Sequence, residues 1–277
     1  MKANRIVKRP KITSIITVFN GQACVARAVK SLLGQTEKSV EILVVNDGST
    51  DNTQKVLKKI TSKNLRVMNI ARTGRAGALA LACREARGIY IANLDADDIC
   101  FPDRLRKQAA FLDANSDHAW VGSGEEQKDD RRQEHHRRIY PLTDSGIRLQ
   151  SSKCIPYCHS SVMFRRSLIE EGINYDPVQL FLIDFEFFLR VATKYKVANL
   201  PEILVRRNVS GGSFFQSTFK TSWQNRRLAC FCARAVWLFH LPFYYYAYPL
   251  GRLVYPLLPN LVKRWVRTRA GLRESHD

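Results

Sequence analysis

Three carboxylates stand in Leu94-Asp95-Ala96-Asp97-Asp98, directly after the apolar run Gly88-Ile89-Tyr90-Ile91-Ala92-Asn93. That run reads as a buried strand, and carboxylates gathered at its carboxyl end need a cation. In an open α/β sheet this is the end that binds ligands, and hard oxygen donors favour Mg²⁺ or Mn²⁺ carrying a diphosphate. An acidic triplet taken alone more often caps a helix or lines a loop. A further carboxylate, Asp47, closes the apolar segment Val40-Glu41-Ile42-Leu43-Val44-Val45. It either faces the same crevice, where it can accept a hydrogen bond from a nucleobase N–H, or belongs to an Asx turn with Asn46, Gly48 and Ser49. Asp184 lies in Leu180-Phe181-Leu182-Ile183-Asp184-Phe185-Glu186-Phe187-Phe188-Leu189-Arg190. Apolar neighbours would desolvate it, raise its pKa and make it a better base. The competing reading is a cap on a core helix, with Glu186 and Arg190 paired at i, i+4.

Regular elements must hold these groups. Ile12 to Gly21 reads as an apolar strand ending at a turn, and Ala23 to Leu33 follows with helical apolar spacing. Val40 to Val45 is a second buried strand, closed by Asn46-Asp47-Gly48-Ser49-Thr50-Asp51, and Asn52 to Ile60 continues as a helix. Leu65 to Ile70, a Gly-punctuated helix around Ala76 to Ala86, and the strand before Asp95 repeat the alternation. The expected class is α/β: a Rossmann-like, mostly parallel sheet with helices on both faces and polar residues at the strand tips.

In order and content these motifs resemble the family-two glycosyltransferases, nucleotide-sugar enzymes with the fold called GT-A. The resemblance runs through Thr17-Val18-Phe19-Asn20, Ser31 to Gln35, Glu41 to Thr53, Arg72-Thr73-Gly74-Arg75, Leu94 to Asp98 and Pro102-Asp103-Arg104-Leu105. It continues through His159-Ser160-Ser161-Val162-Met163 and Asp184 to Arg190, and covers about two thirds of the chain. It implies that Asp47, with Thr17 and Arg75, approaches the nucleotide, although Arg75 also reads as a solvated helix residue. By the same resemblance Asp95 holds the ribose hydroxyls and Asp97 ligates the Mg²⁺ or Mn²⁺ bridging the phosphates. Asp98 is either a third member or a cap for the helix that Pro102 opens. Inversion needs a base opposite the leaving diphosphate, and Asp184 matches that position. The family's Glu-Asp-x-Asp pattern is altered, because Ile183 replaces the first acid of the pair. Relatives carry an Arg-x-His element before a Gly-Ser turn, whereas this chain has Ser210 in place of the His. Diphosphate stabilisation would then fall to Arg206, Arg207 or the metal. His159 is expected to line the acceptor pocket.

A chain of 277 residues can bury a substantial core, and we expect a GT-A catalytic domain over residues 1–220 with a helical tail over 221–277. The charged stretch Glu125 to Arg138 reads as a loop or flexible insertion, with His135 and His136 solvated inside it. Seven irregularly spaced cysteines argue against a secreted disulfide framework and imply the cytosolic side. Cys154, Cys158 and His159 look like half a zinc site but lack a partner pair. The N-terminus, with Lys2, Arg5, Lys8 and Arg9, lacks the apolar core of a signal peptide.

The net charge of +19 calls for an anionic partner. Nucleic acid is not expected, since no recognition motif or aromatic-interleaved basic sheet is visible. Leu228 to Leu261 is aromatic and aliphatic, but its longest charge-free run, Ala235 to Gly251, has 17 residues and contains Pro242 and Pro249. A spanning helix needs about 20 apolar residues without such breaks. The tail is therefore expected in the interface of an anionic membrane, with packing on the catalytic domain as the alternative. The resemblance then implies an inverting, metal-dependent transferase at the inner face of the cell membrane. Its expected donor is a UDP-sugar, and its acceptor a lipid-linked saccharide for an envelope polysaccharide or exopolysaccharide. Transfer to a polyprenyl phosphate, or an inactive protein that only binds nucleotide sugar or nucleic acid, are the alternatives.

Overall fold

The computed structural model describes residues 9–129, 134–208 and 222–258. The chain divides into two compact units, residues 1–148 with 155–211 and residues 149–154 with 212–277. In the larger unit β1 (Ile12–Val18), β2 (Val40–Asp47), β3 (Leu65–Ile70) and β4 (Tyr90–Asn93) alternate with α1 (Val25–Leu33), α2 (Thr53–Lys58) and α3 (Gly74–Glu85). Ile12, Ile15 and Ile16 of β1 and Ile42 to Val45 of β2 are buried on both faces, as parallel strands between helical layers must be. α1 covers them with Val25, Ala28, Val29 and Leu32, the i, i+3, i+4, i+7 stripe of a surface helix. α3 buries Ala76, Ala78, Ala80 and Ala82, and these short side chains let its backbone lie close on β1 and β2.

β4 runs parallel to β1. Beyond it the sheet continues through β8 (Met163–Arg165), β6 (His118–Asp129), β9 (Lys196–Asn208) and β5 (Ile99–Cys100), in the order β3-β2-β1-β4-β8-β6-β9-β5. β8 is antiparallel to both of its neighbours, whereas β6 and β9 form a long parallel ladder. Most paired residues thus lie in parallel ladders, and the fold is the mixed α/β sheet flanked by helices that the alternation predicts. Register sets which residues share an edge. Thr17 pairs with Val45 and Ile15 with Asn93, so β1, β2 and β4 all end on one side of the sheet and deliver Thr17, Asp47 and Asp95 there.

The helices beyond β4 prop this edge. In α4 (Arg104–Ala114), Arg104 is fully buried and donates to the Asn93 carbonyl at 2.8 Å, the Val162 carbonyl at 3.1 Å and Gln108 Oε1 at 2.9 Å. Gln108 Nε2 reaches the Val121 and Ser161 carbonyls at 3.0 and 2.7 Å. A buried cation satisfied by carbonyls and an amide thereby ties together the ends of β4, β6 and β8. After the short α5 (Asp144–Ser151) and α6 (Ser167–Glu170), α7 (Ile183–Lys194) buries Phe185, Phe187, Phe188, Leu189 and Val191. Phe187 and Phe188 close around Trp120 with ring centroids 5.7 Å away, and Phe164 stacks on it at 5.9 Å.

The described residues of the stretch Glu125 to Arg138 are strands, not a loop. β6 runs on to Asp129 and β7 (Glu134–Arg138) returns antiparallel to it, pairing Glu125 with Arg138, Glu126 with Arg137 and Gln127 with His136. Opposite charges across a ladder stabilise it without any apolar alternation, so hydrophobic periodicity carried no signal there. In the second unit α8 (Ser222–Leu238) is followed by a 3₁₀ turn over Phe243–Tyr246, α9 (Ala247–Val254) and a 3₁₀ turn over Tyr255–Leu257. Among the described residues no helix is long and apolar enough to cross a membrane. The Ser210 departure and the basic residues from Lys263 onward lie outside the described residues.

Candidate active site

At the carboxyl edge of the sheet Asp47 is only 2 % exposed. Its Oδ2 accepts from Arg72 Nη1 at 2.6 Å, and its Oδ1 from the Thr73 backbone N–H at 2.6 Å and the Thr73 hydroxyl at 3.0 Å. The carboxylate therefore bridges to the loop after β3 rather than closing its own Asx turn. Gly48 makes this approach possible: its φ is +68°, and a Cβ there would lie 2.8 Å from the Arg72 nitrogen. The Arg72 guanidinium lies 3.5 Å over the exposed Phe19 ring, so a cation and an aromatic face flank the mouth of the crevice. A nucleobase N–H seeking Asp47 would share Oδ2 with Arg72, and a carboxylate has lone pairs for both. Thr17 sits beside this point, partly buried at the end of β1.

Along the same edge Asp95 accepts from Arg75 Nη2 at 2.8 Å and Asn93 Nδ2 at 3.3 Å, while the Ser160 hydroxyl takes its backbone N–H at 3.2 Å. Burial pushes the Asp95 carboxyl up, but the Arg75 charge, acting together with His159 and Asn93, outweighs it and holds the group far below the usual carboxylate range. The same ion pair raises Arg75, with a further contribution from Asp184. Asp97 is partly buried, and burial followed by the Asp95 charge moves it upward. Asp98 is fully buried and is pushed well above its ordinary value by burial, then by Asp95 and Asp97. Its oxygens accept from the Ser160 hydroxyl and, at 3.0 Å, from the Asn208 backbone N–H. Asp98 therefore does not cap α4, whose N-cap position is Asp103. Its carboxylate pins the end of β9 to the acidic cluster.

Asp95 raises Asp97, and both raise Asp98, which is the electrostatic condition a divalent cation relieves. Among the described residues no three His, Cys, Asp or Glu side chains converge as a metal site. The described residues thus do not form an all-protein cage, and Asp97 is the partly exposed carboxylate of the cluster's two raised members.

His159 and Arg75 are brought together. His159 Nδ1 faces Arg75 Nη2 at 3.1 Å and Asn93 Nδ2 at 3.2 Å, both of which only donate. The same Nδ1 lies 3.7 Å from Asp95 Oδ1, and Nε2 lies 2.9 Å from the hydroxyl of the buried Tyr175. Asp184 occupies the first turn of α7, just after Leu182, whose φ of 51° lies in the left-handed region. For a leucine that backbone is costly, and the strain sits beside the candidate base. The sequence suggests Asp184 is enclosed by apolar residues, but the helix turns its aromatic neighbours into the core and leaves Asp184 partly exposed. Nor is Asp184 the cap; Leu182 holds that position, and Glu186 and Arg190 pair separately at 2.7 and 2.8 Å.

Consecutive residues of a strand point to opposite faces, and this divides Arg206 from Arg207. Arg206 Nε binds Glu126 at 2.5 Å, with its guanidinium 5.4 Å from the Phe101 ring. Arg207 Nε meets the fully buried Glu125 at 3.1 Å, and its charge acts on Asp97 and Asp98. Of the two, Arg207 is the one near the acidic cluster. Sequence reasoning does not single out Arg72, Asn93, Ser160, Tyr175, Arg104 or Glu125. Arg72, Asn93, Ser160 and Arg104 lie inside quoted motifs and are open to notice there, whereas Tyr175 and Glu125 depend on contacts between segments distant in sequence.

Comparison with known proteins agrees with this geometry. Residues 13–173 match the family model described as glycosyl transferase family 2. The chain is 29% identical over 254 residues to the putative glycosyltransferase EpsE of Bacillus subtilis, covering 89% of this chain and 90% of that one. It is 26% identical over 184 residues to the amylovoran biosynthesis glycosyltransferase AmsE of Erwinia amylovora, covering 65% and 68%. Among solved structures it resembles the mannosyltransferase PcManGT of Pyrobaculum calidifontis in complex with GDP-Man and Mn²⁺. There the TM-score is 0.64 at 17% identity, over 96% of this chain and 81% of that one.

Proposed function

The chain belongs to glycosyl transferase family 2, and on that premise we propose that it moves a sugar, with inversion, from a nucleoside-diphosphate donor to a saccharide hydroxyl. The observation that carries this reading is the single sheet edge on which Asp47, Asp95 and Asp97 stand, with Asp184 acting on Arg75 from α7. Asp47, Arg72 and Thr17 would hold the nucleobase, and Asp95 with Arg75 the ribose. A Mg²⁺ or Mn²⁺ on Asp97 would neutralise charge on the diphosphate. Asp184 takes the proton of the acceptor hydroxyl as that oxygen bonds to the anomeric carbon. The bond from that carbon to the diphosphate breaks on the opposite face, its electron pair staying on the diphosphate oxygen, next to Arg207.

The base of the donor is left to experiment, since the expected UDP stands beside a fold neighbour solved with GDP-Man. Polysaccharide synthesis is supported by AmsE, and a peripheral location at the inner membrane face, with a lipid-linked acceptor there, rests on the basic aromatic tail. The direct test is a thermal-shift screen of UDP- and GDP-sugars with Mn²⁺, followed by detection of released nucleoside diphosphate. Stabilisation by one class of donor and slow hydrolysis are expected. A chain stabilised by no nucleotide sugar, with or without metal, would overturn the reading.

A further inference from the structure

We propose that the second unit is a helical hairpin that lies in the interface of an anionic bilayer without crossing it. Its turn, at Phe243 and Tyr244, and an outward stripe on α9 would enter the boundary between headgroups and acyl chains. The inference deepens the peripheral location proposed above by naming the surface and the lipid chemistry.

The turn is built rather than frayed. α8 stops where His240 takes a φ of 51°, with Leu241 N–H bonded to the Val236 carbonyl at 3.0 Å and Pro242 following. This is a Schellman closure, which reverses the chain sharply. The buried residues of α8, namely Leu228, Ala229, Cys232, Ala235 and Val236, fall on one helical face. In α9, Arg252 donates twice to the Lys153 carbonyl, at 3.1 and 2.8 Å, and the Lys153 ammonium lies 4.3 Å over the Tyr248 ring. Those contacts fix the rotation of α9 and turn Leu250, Leu253 and Val254 outward at i, i+3, i+4, and Leu257 of the following 3₁₀ turn is exposed as well. Phe243 is 83 % exposed, Leu257 76 % and Trp237 67 %. Large apolar side chains exposed in such number on one hairpin mark an interaction site.

Charge selects the occupant. From Ile203 to Arg273 the chain contains no aspartate or glutamate, while Arg226, Arg227, Arg234 and Arg252 lie in the hairpin itself. A second copy of the chain would bring this acid-free surface against itself, and like charges there oppose association. Nucleic acid would leave the leucine and valine stripe uncovered. An anionic lipid surface satisfies both features, since Trp and Tyr favour headgroup depth and basic residues meet phosphate. The 8 residues of α9 extend only about 12 Å and the 17 of α8 about 26 Å with Arg226, Arg227 and Arg234 along it, against a hydrocarbon core of about 30 Å, so neither helix spans and the hairpin lies on the bilayer.

The test is flotation of the full-length protein with vesicles of phosphatidylcholine alone or mixed with phosphatidylglycerol. Binding is expected only with the mixed vesicles, and it should weaken in high salt without vanishing, because apolar burial is not screened. The double variant Phe243→Ser/Leu257→Ser, altered only at exposed positions, should partition about tenfold less well while keeping its melting temperature. In the parent, mixed vesicles should shift tryptophan emission to the blue, and Trp237→Phe should remove most of that shift. Equal flotation of variant and parent would overturn the proposal, as would loss of all parental binding in salt. A parental dimer that the double variant dissociates, with vesicle binding unaltered, would assign the stripe to a second copy instead. Nucleotide binding is read on the same samples, so failure of the membrane inference and failure of the transferase reading are told apart.

Discussion

Asp95, Asp97 and Asp98 fall within four consecutive residues, yet their surroundings separate them. Asp95 is held ionised by Arg75 together with His159 and Asn93, Asp98 is buried against Ser160, and Asp97 alone is both partly exposed and raised, by burial and by Asp95. If Asp97 holds the metal, Asp97→Asn should leave the fold intact and cut turnover by about 10²–10³, the scale seen when a group stabilising developing charge is lost. Excess chelator should mimic it, and full transfer rates in chelator would exclude the role. Asp184→Asn sits on the acceptor side, so donor affinity should stay near parental while transfer falls by about 10²–10⁴. Calorimetry beside single-turnover kinetics would show whether binding and chemistry separate. Glu125 is fully buried, accepts from Tyr140 and Gln127 at 2.7 Å each, and meets Arg207 at 3.1 Å. Glu125→Gln should loosen Arg207 and weaken nucleoside diphosphate binding about tenfold while leaving the bare nucleoside unaffected. The effect should vanish in an Arg207→Ala background, as a double-mutant cycle would reveal.

At the level of elements, α4 carries more than a covering layer. Arg104 binds the carbonyls that end β4 and precede β8, so the acidic turn is anchored from below by a buried cation. Arg104→Met keeps much of the volume but strands two carbonyls and Gln108. We expect a loss of about 3 kcal/mol in urea unfolding, together with weaker nucleotide binding, because hydrogen bonds to a charged group contribute about 1.5–3 kcal/mol each. A variant as stable as the parent would mean that water replaces the guanidinium. The charged β6–β7 ribbon is likewise anchored by charge, with Glu125 buried within it. Glu125 and Glu126 lie opposite Arg138 and Arg137, and their outer partners on β9 are Val205 and Arg206. A segment that reads as solvated is thus the central strand that delivers Glu125 to Arg207.

For the molecule as a whole, the second unit draws on two separated pieces, residues 149–154 and 212–277. Lys153 is joined to α9 through Arg252 and Tyr248. Truncation after Thr221 would therefore strip residues 149–154 of their partners as well as removing the basic tail, which carries nine basic residues against two acidic ones from Trp223 to Asp277, a net +7. We expect the truncated chain to retain nucleotide binding, to lose anionic vesicles and to melt lower. Each 1 kcal/mol lost should lower Tm by about 2–4 °C. An unchanged Tm would show that residues 149–154 need nothing from the tail.

Local chemistry alone determined the alternation of strands and helices, the placement of Asp47 and Asp95 at strand ends, and the family resemblance. Each of these depends on residues near in sequence: an apolar run, a turn former, an acid at a fixed offset. Tertiary structure decided the rest, because contacts across the sheet have no fixed spacing along the chain. Asp47 meets Arg72, Asp98 meets Ser160 and Asn208, and His159 meets Arg75 only after β1, β2 and β4 are in register and β9 is laid beside β6. The face that Asp184 presents was likewise hidden in a string of apolar neighbours, since the helical turn of about 100° per residue sends the phenylalanines inward and the carboxylate to the rim.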